Sequence, residues 1–329
     1  MLRVLGFERQ WVKSHFYPSL FSLFFVCVSQ FALAMVPRLY PTFSLFSILS
    51  ISALVLVASA LFGRCCRRIL QVSASAPALV IFNILFLWGV YIALIREGFP
   101  SLKDVAVNAE FTVLLIGLHS ILSGDPGFIS YDDSCLDRLN QSAVSNVSSR
   151  SEDEELSSSG MEFEQLAVNM GAPSLKRVRY CNSCKAHVKG FDHHCPAFGN
   201  CIGQKNHHLF MVLLIGFVIA EVSYIGCSTQ FIAKSRNMHK TGSESSLSGN
   251  LAIGTMLFCL LQVLWQVVFL AWHIYCICFN IKTDEWINWR KYPEFQLVVP
   301  GQPFAELRFK NPYDKGILGN LKDFLELKE

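Results

Sequence analysis

The chain has 329 residues, 52% of them hydrophobic and 13% aromatic, and only 16% charged. A soluble domain carries about a quarter charged residues, so this composition, with a mean hydropathy of +0.38, excludes an ordinary soluble protein and points to the membrane. The net charge of +3 is too small to argue for a nucleic-acid partner.

In chain order, about six apolar stretches are long enough to cross the hydrocarbon core. Phe16 to Val36 carries no charge. Arg3, Arg9 and Ala32-Leu33-Ala34 would also suit a cleavable signal, but the run is long for one, and a retained helix is favoured. Pro41 to Phe62 follows after a short loop, as a helical hairpin, and Ala76 to Ile95 is the third span. Val105 to Leu122 is the fourth and weakest, because it holds Asn108, Glu110 and His119. Leu209 to Gly226, with Glu221 near its far end, is the fifth. Leu251 to Phe279 is the sixth, longer than a perpendicular span needs, so it tilts or emerges.

Lysine and arginine placement sets the orientation. Arg64, Arg67 and Arg68 crowd the second-to-third loop, against Arg38 alone in the first. Arg96 and Lys103 follow the third span. The basic loop is therefore expected in the cytosol, with both termini and everything from Ser123 to His208. Lys234, Arg236 and Lys240 in the last luminal loop weaken this without reversing it. The twelve cysteines do not look like a secreted disulfide framework, so reduced thiols facing the cytosol are expected.

Ionisable groups inside spans are functional candidates by default. Glu110 and Glu221 fall near expected luminal ends, which favours snorkelling or misplaced boundaries; His273 is the third such group. Cys65-Cys66 and the pair Cys276 and Cys278 fall at cytosolic faces, as acylation sites or as small apolar filling. His207 and His208 read as interfacial rather than as ligands.

Tyr131 to Met170 is rich in serine and acids and cannot bury a core, so disorder is expected. Its sequons, at Asn140 and Asn146, would stay bare in the cytosol. The tail ends in an amphipathic segment around Leu321, Phe324 and Leu325. The expected architecture is an all-α polytopic membrane protein. Residues 1–122 hold four helices, 123–175 a largely disordered cytosolic linker, 176–208 a cysteine-rich zinc domain, 209–280 two helices and 281–329 a cytosolic tail.

The chemistry concentrates in Cys181 to Phe210, with four cysteines and five histidines. Cys181 and Cys184 form a C-x2-C pair, the usual grip of a zinc knuckle. With His194 and Cys201 they make the four ligands a structural zinc takes. By spacing, His187 could stand in for His194. Cys195 and His193 remain free. A thiol becomes a nucleophile once its proton is lost to a neighbouring base. Asp192 bonded to one nitrogen of His193 would leave the other nitrogen to take the Cys195 proton. Lys176, Arg177, Arg179, Lys185 and Lys189 suit an anionic donor or, equally, anionic lipid headgroups. No H-E-x-x-H motif supports an intramembrane metalloprotease.

Asp192-His193-His194-Cys195, followed by Pro196, Asn200-Cys201, Gly203, Asn206 and Phe210, resembles the DHHC-type protein S-acyltransferases, or palmitoyltransferases. Asp125-Pro126-Gly127 is similar to that family's DPG motif. Lys282-Thr283-Asp284-Glu285 is similar to its TTxE motif, with lysine for the first threonine. Asn311-Pro312-Tyr313-Asp314-Lys315-Gly316 with Asn320 is similar to its C-terminal motif. The resemblance covers roughly Ser123 to Asn320. It implies two-step acyl transfer from a fatty acyl-CoA, such as palmitoyl-CoA, through an acyl-Cys195 intermediate. His193 would be the base and Asp192 would orient it. The acceptors would be cysteines on cytosol-facing, membrane-associated proteins, and the acyl chain would lie among the helices. Cys181, Cys184, His194 and Cys201 match the second of the family's two zinc sites. The residues of the first are missing: Tyr180 stands at its histidine position and His187 at a cysteine position, so one zinc is expected. Ala197, beside Phe198, replaces the aromatic that usually follows the catalytic cysteine by two. The resemblance also suggests endomembranes, Golgi or ER, ahead of the plasma membrane. The rival readings are a catalytically weak or inactive membrane scaffold, and a transporter with a regulatory zinc knuckle.

Overall fold

The computed structural model describes residues 16–70, 74–129, 177–238, 247–299 and 306–326. Arg3, Arg9, Lys176, Lys240, both sequons and the serine-acidic stretch lie outside the described residues.

Among the described residues six helices are long and apolar enough to cross a membrane, which makes this an integral membrane protein. They are α1 (Tyr17–Leu39), α2 (Leu45–Leu70), α3 (Ala76–Val90), α4 (Ser101–Ser123), α5 (His207–Met238) and α6 (Leu247–Cys278). Each expected span is present, but most boundaries move outward. Helix α2 runs through Arg64, Arg67 and Arg68, so these ride on its last turns rather than on a loop. Cations there complement the negative end of the helix dipole. Helix α3 starts where Ser75 caps Ala78 N–H and Pro77 opens the first turn, and it ends in a widened π-turn, Tyr91–Ile95.

Contacts divide the chain into two compact units. The first takes the described residues of 1–120, with 196–199 and 211–271. Helix α1 packs on α2 and α3 there, and polar side chains bond from helix to helix. Trp88 Nε1 donates to Asn108 at 2.8 Å, and Gln30 donates to Asn83 at 3.1 Å. Ser223 donates to Glu110 at 3.1 Å, and Gln266 donates to Glu221 at 3.0 Å. The two glutamates are therefore neither snorkelling nor outside their helices. They are hydrogen-bonded across helix pairs, an arrangement worth on average about 0.6 kcal/mol per bond in a membrane. Pro196–Gly199 belongs to this unit: Phe198 is buried, and Gly199, at φ +59°, leaves no room for a Cβ beside Pro77.

The second unit takes the described residues of 121–195, 200–210 and 272–329. Strand β1 (Val178–Cys181) pairs with β2 (Ala186–Lys189), and β3 (His193–Cys195) pairs with β4 (Asn200–Ile202). Strand β5 (Gln296–Val299) pairs with β6 (Glu306–Phe309). Two short helices, α7 (Thr283–Asn288) and α8 (Ile317–Leu325), complete it. Strands of three or four residues carry too little alternation to announce themselves in the sequence.

The three family-like motifs each close part of this unit. Asp125 accepts N–H bonds from Gly127 and Phe128 at 2.8 Å, and Gly127 sits at φ +110°. Its other oxygen meets Lys205 Nζ at 2.7 Å. Gly203 lies so close to Pro126 that an added Cβ would stand 2.4 Å from that carbonyl oxygen. In the tail, Asn311 and Asn320 donate to the carbonyls of Phe279 and Cys278 at 2.6 and 2.8 Å. Those carbonyls are among the acceptors that the end of a helix leaves without partners. Phe295 fills the centre of the tail, stacked on Phe309 at 5.9 Å and tilted on Tyr313 at 5.7 Å.

Candidate functional site

Residue alternation along a strand explains the site. Successive side chains of a strand point to opposite faces. On β3, His193 and Cys195 therefore share one face, and His194 takes the other. His194 pairs directly with Cys201 across the hairpin, so these two share the second face. Three consecutive residues thus separate a metal-type face from a thiol face without any special turn.

On the metal-type face, Cys181 ends β1 and Cys184 lies in the turn that follows, with its N–H on Cys181 Sγ at 3.4 Å. His194 Nδ1 lies 3.4, 3.8 and 3.7 Å from the sulfurs of Cys184, Cys181 and Cys201, and Cys184 and Cys201 sulfurs are 3.3 Å apart. Donors around a tetrahedral zinc, at the usual Zn–S and Zn–N lengths, are about 3.5–3.8 Å apart. The four residues fit the metal. Burial and the neighbouring Cys181 and Cys184 sulfurs push the Cys201 thiol well above its usual range. A bound dication inverts that preference, since coordination deprotonates a thiol. His187 is not in this group: it lies opposite Tyr180 on the neighbouring strand, the rings 5.0 Å apart. The pair occupies the two positions where the family resemblance would have put a histidine and a cysteine.

On the other face, His193 Nδ1 bonds Asp192 at 2.7 Å, and the ring also interacts with the Cys195 sulfur. Asp192 is fully buried and held from several sides. Its N–H donates to the Ile202 carbonyl at 2.8 Å. Its Oδ1 accepts Thr283 N–H at 3.1 Å, and its backbone carbonyl accepts Asp284 N–H at 2.9 Å. Burial alone would raise its pKa, but the His193 bond and the nearby Lys282 charge hold it below the usual carboxylate range. Burial also opposes a charged His193. The Asp192 bond and the Cys195 sulfur outweigh it and raise the ring to about 9. A carboxylate, an imidazole and a thiol in that order can move a proton off sulfur.

The four-residue segment after α6 is the support that motif spacing alone did not place. Glu285 reaches back to the N–H of Lys282 at 2.9 Å and receives Arg177 through two bonds of 2.7 and 2.8 Å. Lys282 Nζ donates to His207 Nδ1 at 3.0 Å, and His207 is buried within the protein at the start of α5. His208 contacts Phe324 and its carbonyl on α8. His273 of α6, flagged in the sequence only as a histidine inside a span, stands 4.0 Å from Asp192 Oδ2.

An integral membrane protein with a Cys3His knuckle that shares its strand with an Asp-His-Cys line is a narrow structural class. Residues 164–290 match the model of the DHHC palmitoyltransferase family. Among curated relatives, it is 28% identical to mouse palmitoyltransferase ZDHHC17 over 161 residues, covering 46% of this chain and 24% of that protein. It is 30% identical to Drosophila melanogaster palmitoyltransferase Hip14 over 178 residues, covering 51% and 26%. With the Arabidopsis thaliana probable protein S-acyltransferase 1 it shares 30% over 155 residues, covering 46% and 40%. The chain spans about a quarter of the length of the first curated relatives it matches.

Proposed function

We propose that the protein is a protein-cysteine S-palmitoyltransferase that works through an acyl-Cys195 intermediate. In the first step His193 takes the Cys195 proton and the thiolate attacks the thioester carbonyl of a fatty acyl-CoA. The C–S bond to coenzyme A breaks, and the CoA thiolate leaves with the proton held by His193. In the second step His193 takes a proton from a cysteine of the acceptor protein. That sulfur attacks the acyl-Cys195 thioester, and Cys195 recovers its proton. Asp192 keeps the His193 proton on Nδ1, so that Nε2 faces the sulfur. One zinc at Cys181, Cys184, His194 and Cys201 stiffens the hairpin and takes no part in either step. The donor is palmitoyl-CoA and the acceptors are membrane-associated proteins, met on the cytosolic side of Golgi or ER membranes. Residues 1–122 and 209–280 form the membrane part, and 176–208 form a cysteine-rich domain between them in sequence. A linker, 123–175, and a tail, 281–329, complete the chain.

The observation that carries this reading is the shared face of His193 and Cys195 with Asp192 bonded behind the ring at 2.7 Å. The inactive-scaffold alternative draws its support from the Tyr180–His187 pair. Purified protein incubated with palmitoyl-CoA is expected to gain a hydroxylamine-labile acyl mass on Cys195, with none on Cys195→Ser. No label on the intact protein would leave the scaffold reading standing.

A further inference from the structure

Asp192 faces two imidazoles. Its Oδ2 lies 2.7 Å from Nδ1 of His193 and 4.0 Å from Nδ1 of His273. One donor atom from each of the three residues falls within 4.8 Å of the others. Phe210 packs edge-on against both rings, at 5.4 and 4.9 Å, and holds them toward one another. The side chains of Asp192 and His273 are 0% and 1% exposed, while that of His193 is 20% exposed. The cluster is shielded from solvent except on the His193 side. Acyl transfer, as written above, makes no use of His273.

We propose that Asp192, His193 and His273 form a second divalent-metal site, weaker than the thiolate knuckle, which zinc fills only in excess and which silences Cys195. Two imidazole nitrogens and one carboxylate oxygen suit zinc, with the fourth position left to water, as in sites that keep an open coordination position. At zinc distances the donors stand about 3.3–3.5 Å apart. The His193–Asp192 spacing must open slightly from 2.7 Å, and His273 must close by less than its present 4.0 Å gap suggests. With metal on Nδ1, the neutral His193 ring carries its single proton on Nε2, so no lone pair remains to accept the thiol proton. A ring that starts protonated on both nitrogens gives up its Nδ1 proton to solvent as the metal binds. Lys282, whose charge acts on Asp192, opposes a cation there, and a single carboxylate attracts zinc less than three thiolates do. The two sites therefore fill in sequence. Silencing rests on the acyl-transfer reading; occupancy does not.

Full-length protein carrying its tight zinc is titrated with Zn2+ and, in parallel, with Co2+, read by metal analysis and visible absorption. The expected result is one metal that survives dialysis, followed by a second binding event without a thiolate charge-transfer band. His273→Phe and the smaller change His273→Gln keep the tight metal and weaken the second event by about tenfold or more, the scale of losing even an outer partner of a metal site. Zinc suppression of acyl labelling shifts by the same factor. A single class of metal in the wild-type protein overturns the proposal. So does a thiolate band at the second event, which would put the metal on Cys195, or an unchanged second event in both variants. If wild-type protein never takes acyl label, the metal titration still decides this site while the proposed activity fails separately.

Discussion

The β1–β2 and β3–β4 hairpins each give two of the four proposed ligands to one Cys/His cluster, yet they are held by different forces. The first is clamped by arginines. Arg177 makes two bonds to Glu285 and stacks on Tyr313 at 3.8 Å, and Arg179 bonds Glu294 at 2.7 Å and stacks on Tyr292 at 3.9 Å. Its Tyr180 and His187 rings meet across the strands at 5.0 Å. The second hairpin has its clamp on the chemical side: Asp192 is tied to Thr283, Asp284 and Ile202, and through them to the end of α6. One hairpin is clamped for rigidity, and the other is clamped on the face that carries the proposed nucleophile.

That contrast can be broken at its shared point. Cys201→Ala removes one of the four ligands common to both hairpins. Structural zinc is worth about 10–16 kcal/mol of folding in small zinc domains, so metal content should fall below one per chain and acyl labelling should vanish. Zinc analysis of the purified variant checks this; a full metal complement with normal labelling would remove the metal from the argument. A sharper cut is Asp192→Asn. An amide oxygen can still accept from Thr283, but an amide nitrogen facing His193 Nδ1 forces the ring proton onto Nε2. The acylation rate should drop by about 10²–10⁴-fold, the scale of a lost general base, with metal content nearly unchanged. Rapid-quench acylation measures the rate. The smallest effect on chemistry comes from the other hairpin. Arg177→Met leaves Glu285 buried without its cation, at a cost of about 3–5 kcal/mol for breaking a buried pair. Thermal unfolding should register that loss, whereas the labelling rate of the remaining folded protein should change by less than a factor of about three. A rate loss as large as that of Asp192→Asn would mean that the two hairpins do not divide the work.

Much of this was legible in the residues. Six apolar runs gave six helices because a span must satisfy its backbone internally and be long enough to cross. The knuckle spacing picked out the residues that the fold gathers, with His194 rather than His187 beside the three thiols. Boundaries were less legible: α2 continues through three arginines because a helix at the membrane edge can carry cations in its last turns. Glu110 and Glu221 misled for a related reason, since a sequence shows a charge in a span but not the serine or glutamine of the next helix. The β3 strand was invisible because three residues carry no usable period, and with it went the reason why His193 faces Cys195. His273 could have been weighed more heavily, as an imidazole in an otherwise apolar helix, but its distance from Asp192 depends on packing that no local pattern encodes.

The carbonyl caps that Asn311 and Asn320 place on Phe279 and Cys278 give the tail an unexpected reach. Those carbonyls end the helix whose next residues, Thr283 and Asp284, donate their amides to Asp192. A premature stop just after Phe309 would spare every proposed ligand and nucleophile, yet it would unplug the helix end that aims the carboxylate. Lesions between Asn311 and Asn320 should then be counted with those of the proposed site.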